Sequence, residues 1–263
     1  MKHKTLIVIV FLLSTLSVNA VFAETFGTKK REPKPDEYGT LIINNYSEKN
    51  RIAPVVFSHW LHRSSYTCRL CHVDLGFAME HGATLIMEQD NQNGLYCGAC
   101  HNGKIAFSVS SQHRDAKHDS NCDRCHSLGK DIEPQHDFYE FVKGFPRSRF
   151  GNRVDWLKAE ELGLVHLTDY LEGISIKRSD LTVPHDIVLN AEYLEMPDII
   201  FSHEKHAVWN GCELCHPQVF AIKKGSTTFE MQEIFDGKYC GACHGKVAFT
   251  NMDCQLCHAK EIY

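Results

Sequence analysis

The chain holds twelve cysteines, and every one falls in a Cys-x-x-Cys-His unit: Cys68-Cys71-His72, Cys97-Cys100-His101, Cys122-Cys125-His126, Cys212-Cys215-His216, Cys240-Cys243-His244 and Cys254-Cys257-His258. Two thiols three positions apart reach the two vinyl groups of one haem as thioethers, and the adjacent histidine meets the iron from below. Zinc ribbons need such pairs to converge in fours and call for no histidine after each second cysteine. Thioredoxin-like pairs share the spacing but give no reason for six copies, each followed by histidine. An exported chain would otherwise pair its thiols as disulfides, yet here none is left over for that. The spacing therefore predicts six covalently attached c-type haems, with the six motif histidines as proximal iron ligands.

The chain also repeats itself, three units at a time. Phe57-Ser58-His59-Trp60-Leu61-His62 precedes Cys68, and Phe201-Ser202-His203-Glu204-Lys205-His206 precedes Cys212 with the same step. The block from Leu95 to Phe107 around Cys-Gly-Ala-Cys-His then returns almost unchanged from Lys238 to Phe249. A third unit closes each copy, after a longer insert (108–121) in the first and a short one (250–253) in the second. This arrangement resembles the trihaem c7-type cytochromes of the cytochrome c3/c7 superfamily, in their multi-domain forms, over about Ala53–His126 and Met196–His258. The resemblance implies a mostly irregular, small α-rich fold: two tandem c7-like trihaem domains wrapped around their haems with little regular secondary structure. Boundaries are expected at 24–52 for an N-terminal linker, 53–130 for the first domain, 131–193 for a connecting segment and 194–263 for the second domain.

The same resemblance implies distal ligands. The first histidine of Phe-x-His-x-x-His serves the first haem of its unit and the second serves the second haem, which assigns His59, His62, His203 and His206. The third haem of each unit is less determined, because Asn93 and Asp236 stand where small relatives place a histidine. Multi-domain relatives draw methionine from this loop, so Met231 is the expected ligand for the sixth haem, with a histidine of the connecting segment as the alternative. For the third haem Met87 ranks first, one position out of register with Met231, ahead of His81, His118 and His113. A thioether ligand favours ferrous iron and raises the potential. His136, His166 and His185 read as surface or packing residues.

Between the copies, Val154, Leu157 and Leu162 fall on one face of a short amphipathic helix, expected to cover haem edges. At the start, Lys2 and Lys4 precede an apolar run and small residues up to Ala23, the parts of a secretory signal peptide over 1–23. An uncleaved span would need about 20 apolar residues, and Ser14, Thr15, Ser17 and Asn19 interrupt this run. Losing two lysines and no acid moves the net charge from −5 to −7, which argues against nucleic acid as a partner.

The expectation is periplasmic or extracellular electron transfer, haem to haem, in anaerobic or metal-type respiration. The donor would be a quinol-oxidising membrane enzyme or another cytochrome, and the acceptor a terminal reductase or outer-membrane conduit; self-assembly into a polymeric wire is a further possibility. The rival is a small nitrite- or hydroxylamine-type reductase with one open iron. No motif ending in lysine marks such a site, so no catalytic residue is assigned.

Overall fold

In a computed structural model of the chain, the described residues are 34–109, 121–126, 138–180, 182–191 and 196–259. The signal-peptide reading at 1–23, and His113, His118 and His136 among the candidate ligands, lie outside them. Regular structure is sparse. Two hairpins, β1 (Thr40–Ile43) with β2 (Val55–Ser58) and β3 (Ile187–Leu189) with β4 (Ile199–Phe201), are antiparallel two-stranded sheets. The helices are one or two turns long: α1 (His59–Arg63), α2 (Glu88–Gln92), α3 (Cys97–Cys100), α4 (Cys122–Cys125), α5 (Phe138–Phe141), α6 (Trp156–Glu161), α7 (His203–Asn210) and α8 (Met231–Phe235). Short apolar and β-branched runs such as Thr-Leu-Ile-Ile and Val-Val-Phe-Ser favour a pleated, half-buried surface.

The hairpins belong to the repeat. Leu41 pairs with Phe57 and Ile187 with Phe201, and Phe57 and Phe201 are equivalent in the two copies. Both first strands lie upstream of the residues that carry the motifs, in the stretches 24–52 and 131–193. Each second strand runs straight into a helix through a serine in extended conformation, Ser58 before α1 and Ser202 before α7. Ser202 Oγ accepts from the Lys205 amide at 3.5 Å, whereas Ser58 Oγ lies 3.5 Å from Thr40 Oγ1 across the hairpin.

An all-protein core forms away from the Cys-x-x-Cys-His units. Trp60 packs with Phe138, Val142, Val154, Trp156, Ala159 and Val165, flanked by Leu61, Phe145 and Trp209. The connecting segment thus supplies most of the packed aliphatic and aromatic interior. Within it α6 is the expected helix, shorter than the pattern suggested, and its buried side chains are Trp156 and Ala159, following buried Val154. Leu162, expected on that face, is 60% exposed, because the helix ends at Glu161 and the next turn points it outward. The face meets Trp60 and Trp209, and Trp156, Leu157 and Glu160 of the helix also line the large cavity among the attachment units. Asp155 caps α6 by accepting from the Lys158 amide at 3.1 Å.

Candidate haem sites

Each Cys-x-x-Cys-His unit folds as a tight turn or single helical turn. Tyr96 and Tyr239, just before the second unit of each copy, have φ of 47° and 49°, a region that non-glycine residues rarely enter. The glycine inside these units is equally specific: a Cβ on Gly98 would lie 1.9 Å from the Asn91 carbonyl oxygen, and one on Gly241 would lie 1.8 Å from that of Ile234. The unit is thus pressed onto the backbone of α2 in copy one and α8 in copy two.

The histidines share one hydrogen-bond scheme. Among the proximal set, Nδ1 of His72, His101, His216 and His244 donates to the carbonyls of Phe77 (2.8 Å), Phe107 (3.2 Å), Phe220 (2.8 Å) and Phe249 (3.0 Å). Nδ1 of His126 donates to Ala53 and that of His258 to Pro197, both at 2.7 Å. Of the expected distal set, His59 donates to Gly39 (3.0 Å), His62 to Ser58 (3.1 Å), His203 to His185 (3.1 Å) and His206 to Ser202 (2.8 Å). A carbonyl only accepts, so every one of these rings carries its hydrogen on Nδ1 and leaves the Nε2 lone pair for a metal. The acceptors are equivalent between copies: Ala53 and Pro197 each precede the second hairpin strand, and Gly39 and His185 the first.

Three of these rings face three others. His59 and His72 have centroids 6.4 Å apart with planes 9° apart; His62 and His101 are 6.3 Å apart, and His206 and His244 6.1 Å apart. Two imidazole–metal bonds of about 2.0–2.1 Å laid end to end, plus half a ring at each side, make about 6 Å. The residues therefore fit a six-coordinate iron with histidine on both faces. No ring contact joins His203 to His216, and none reaches His126 or His258, among the described residues. Phe57 packs on His59 and His62 at 4.8 and 4.5 Å, and Phe201 on His203 and His206 at 5.0 and 4.3 Å.

The remaining candidate ligands are placed unequally. His81 is exposed and directs Nε2, the nitrogen a haem would need, to the Ile42 carbonyl at 2.9 Å. His166 and His185 are exposed. Met87 precedes α2 and is 55% exposed, whereas Met231 is the first residue of α8 and half-buried. Matching Asn91 to Ile234 sets Met231 opposite Glu88, so the two methionines occupy different positions on their helices.

A cavity of about 2870 Å³ runs among these residues, lined by members of all six units and by His59, His62, His206, Met87 and Met231. Since a pocket for one drug-sized ligand is about 300–1,000 Å³, this space suits several large apolar groups. His203, His216 and Cys212 do not line it. Burial lowers His59 and His244 to about 4 and moves His62, His72, His101 and His206 the same way. All are neutral at pH 7, the form that binds a metal. Burial pushes the Cys71 and Cys243 thiols up to about 12 and those of Cys97 and Cys240 to about 11.

The attachment cysteines form a series within reach of one another's charge. Cys125 neighbours Cys97, which with Cys100 neighbours Cys71; Cys215 neighbours Cys240 and Cys243, and Cys240 neighbours Cys257. Cys68 of the first copy joins the two runs, next to Cys215 and Cys243.

Sequence reasoning missed the inter-copy contacts. All three tryptophans, Trp60, Trp156 and Trp209, converge there with Arg63. A signal existed in the repeat itself: Arg63 aligns with Ala207 and Trp209 with Ser65, so each copy departs from the repeat where it meets the other.

The model for cytochrome c7 and related cytochrome c matches residues 55–127 and 199–259. A solved c7-type three-haem cytochrome domain is 40% identical, covering 29% of this chain and 95% of that one, with a TM-score of 0.27. The C-terminal hexahaem fragment of GSU1996 is 27% identical over 84% of this chain and 96% of its own, with a TM-score of 0.26. Its N-terminal hexahaem fragment is 25% identical over 85% and 99%, also at 0.26. Kinship rests on the family match over 55–127 and 199–259. Nothing among curated proteins matches the chain.

Proposed function

The chain belongs to the family of cytochrome c7 and related cytochrome c, and from that premise we propose that it is a six-haem electron carrier working between a donor and an acceptor redox protein outside the cytoplasm. The observation that carries the reading is the uniform histidine scheme: ten imidazoles with Nδ1 on a backbone carbonyl, six of them facing in pairs at 6.1–6.4 Å. A covalently bound c-type haem supplies a reversible one-electron iron couple.

The protein's part is to hold that couple closed. Each pair Cys68/Cys71, Cys97/Cys100, Cys122/Cys125, Cys212/Cys215, Cys240/Cys243 and Cys254/Cys257 holds one haem, and the following histidine is its proximal ligand. His59, His62, His203 and His206 take the distal positions of the first two sites in each copy, and Met87 and Met231 those of the third. The Nδ1 bonds fix ring orientation and raise ligand basicity, while Phe57 and Phe201 exclude water beside the distal rings. Were these residues to ligate the six irons in this way, no iron position would be left for a substrate, which would separate a carrier from a nitrite- or hydroxylamine-type reductase. The ordered series of attachment cysteines supports passage through the whole chain, and the working site is taken to be the periplasm or the cell surface. A quinol-oxidising membrane enzyme or another cytochrome serves as donor, and a terminal reductase or outer-membrane conduit as acceptor. No helix among the described residues is long and apolar enough to cross a membrane.

A carbon monoxide difference spectrum of the dithionite-reduced protein tests this, with haem counted in the same sample. Six closed sites give no binding per iron under native conditions. Rapid binding to one iron overturns the closed-carrier reading and favours the reductase.

A further inference from the structure

Arg63 ends α1, directly after His62, and its guanidinium is enclosed between two tryptophans: Cζ lies 4.7 Å from the Trp156 ring centroid and 5.0 Å from that of Trp209. Nη1 donates to the Val247 carbonyl, and beside it the Tyr38 hydroxyl donates to the Ala248 carbonyl at 2.6 Å. One side chain of the first copy is therefore held by the connecting segment and the second copy together. Among the described residues no carboxylate forms an ion pair with it. Glu160, the acid whose charge reaches Arg63, accepts from Trp209 Nε1 at 3.1 and 3.3 Å instead. Its charge meets Cys68 first, then Tyr38, Glu160 and Cys243, and it also reaches His59 of the first copy and His244 of the second.

A buried cation with no ion-paired acid is costly and, in arginine, cannot be relieved by losing its proton. An apolar side chain could fill the space between the two indoles, but it would give the Val247 carbonyl no donor and the ring faces no cation. The charge itself therefore has work to do. A positive charge beside an iron opposes the added positive charge of the ferric state and so favours the ferrous one, most strongly where water is excluded.

We propose that Arg63 is a positioning residue with two effects: it locks the two haem-bearing copies into one arrangement, and its fixed charge raises the reduction potential of the two sites flanking it. These are the site of Cys68, Cys71 and the His59–His72 pair and that of Cys240, Cys243 and the His206–His244 pair. Among the sites with histidine on both sides, the two at the junction between copies are then those where an electron rests most readily. Because Ala207 replaces Arg63 in the second copy and Ser65 replaces Trp209 in the first, the device is present once, at the junction only.

The inference rests on the six-haem reading. Its test is a spectroelectrochemical titration of the full-length holoprotein, with haem counted by pyridine haemochrome, comparing wild type, R63Q and R63K. Removing the charge in R63Q lowers the electron affinity of two of the six sites by about tenfold, about 59 mV for a one-electron couple. R63K keeps the charge between the two sites, so it titrates as wild type, while R63Q, which loses the cation held by the two indoles, also gives a larger radius of gyration in solution scattering. An R63Q curve that superimposes on wild type overturns the proposal, as does an R63K curve displaced by the tenfold expected of R63Q. Should R63Q fail to load haem, the R63K prediction alone decides. A wild-type count below six instead overturns the six-haem reading.

Discussion

At the scale of single residues, the chemistry is legible wherever a motif states it and hidden wherever the backbone does. Cys-x-x-Cys-His names its own cofactor and proximal ligand. Nothing in the sequence says that Gly39, Ser58 or Pro197 lends a carbonyl to an imidazole, because any residue carries one; only the fold selects which carbonyl comes near. His81 shows the other side of this. Its type and location made it a candidate, yet its Nε2 is engaged by the Ile42 carbonyl. Gly98 and Gly241 look like incidental spacers inside their units, but a methyl group at either meets a backbone oxygen that no side-chain rotation can move. Gly98→Ala and Gly241→Ala should therefore each cost about 3 kcal/mol, the upper end for overpacking, measured by guanidinium unfolding of the holoprotein. A loss within about 0.5 kcal/mol of zero at both sites would show that these units do not press on α2 and α8.

At the scale of elements, repetition was the readable signal and pairing the unreadable one. The helices α1 and α7 follow from Phe-x-His-x-x-His, in which His62 and His206 fall one turn after the serine whose carbonyl they bond. The strands β1 and β3 carry no motif and little similarity to each other; a small hairpin before each first unit was expected, and the register with β2 and β4 shows which residues form it. The helix of the connecting segment was visible from its periodicity, but its buried face was misjudged at Leu162 because a six-residue helix ends before that position. This orders three substitutions. Trp156→Ala should cost about 3–5 kcal/mol as a large buried ring is lost, Asp155→Ala about 1 kcal/mol as a cap is lost, and Leu162→Ala less than about 0.5 kcal/mol as an exposed change. Thermal unfolding of the three variants checks the ranking, and a Leu162→Ala loss as large as that of Trp156→Ala would contradict it.

At the scale of the whole molecule, six attachment units and the family resemblance pointed to a chain whose interior is largely cofactor, and the described residues show what encloses it. The repeats and the connecting segment together line the large cavity, and the connecting segment also supplies most of the protein-only core and reaches both copies. Arg178 of that segment bonds Asp74, just past the first unit, at 2.5 Å and Glu213, inside the fourth unit, at 2.7 Å. Thr67 Oγ1 likewise donates to Asp169 at 2.8 Å. Such ties were beyond sequence reasoning because they join residues far apart in the chain with no shared pattern. They make the two trihaem units a single series of six sites, which is the central claim. Its most direct test is coulometric reduction and reoxidation of the purified chain with haem counted by intact mass. The account predicts six haems and six electrons taken up and returned reversibly per chain. Fewer than six of either, or steady consumption of electrons when nitrite or hydroxylamine is supplied, would contradict it.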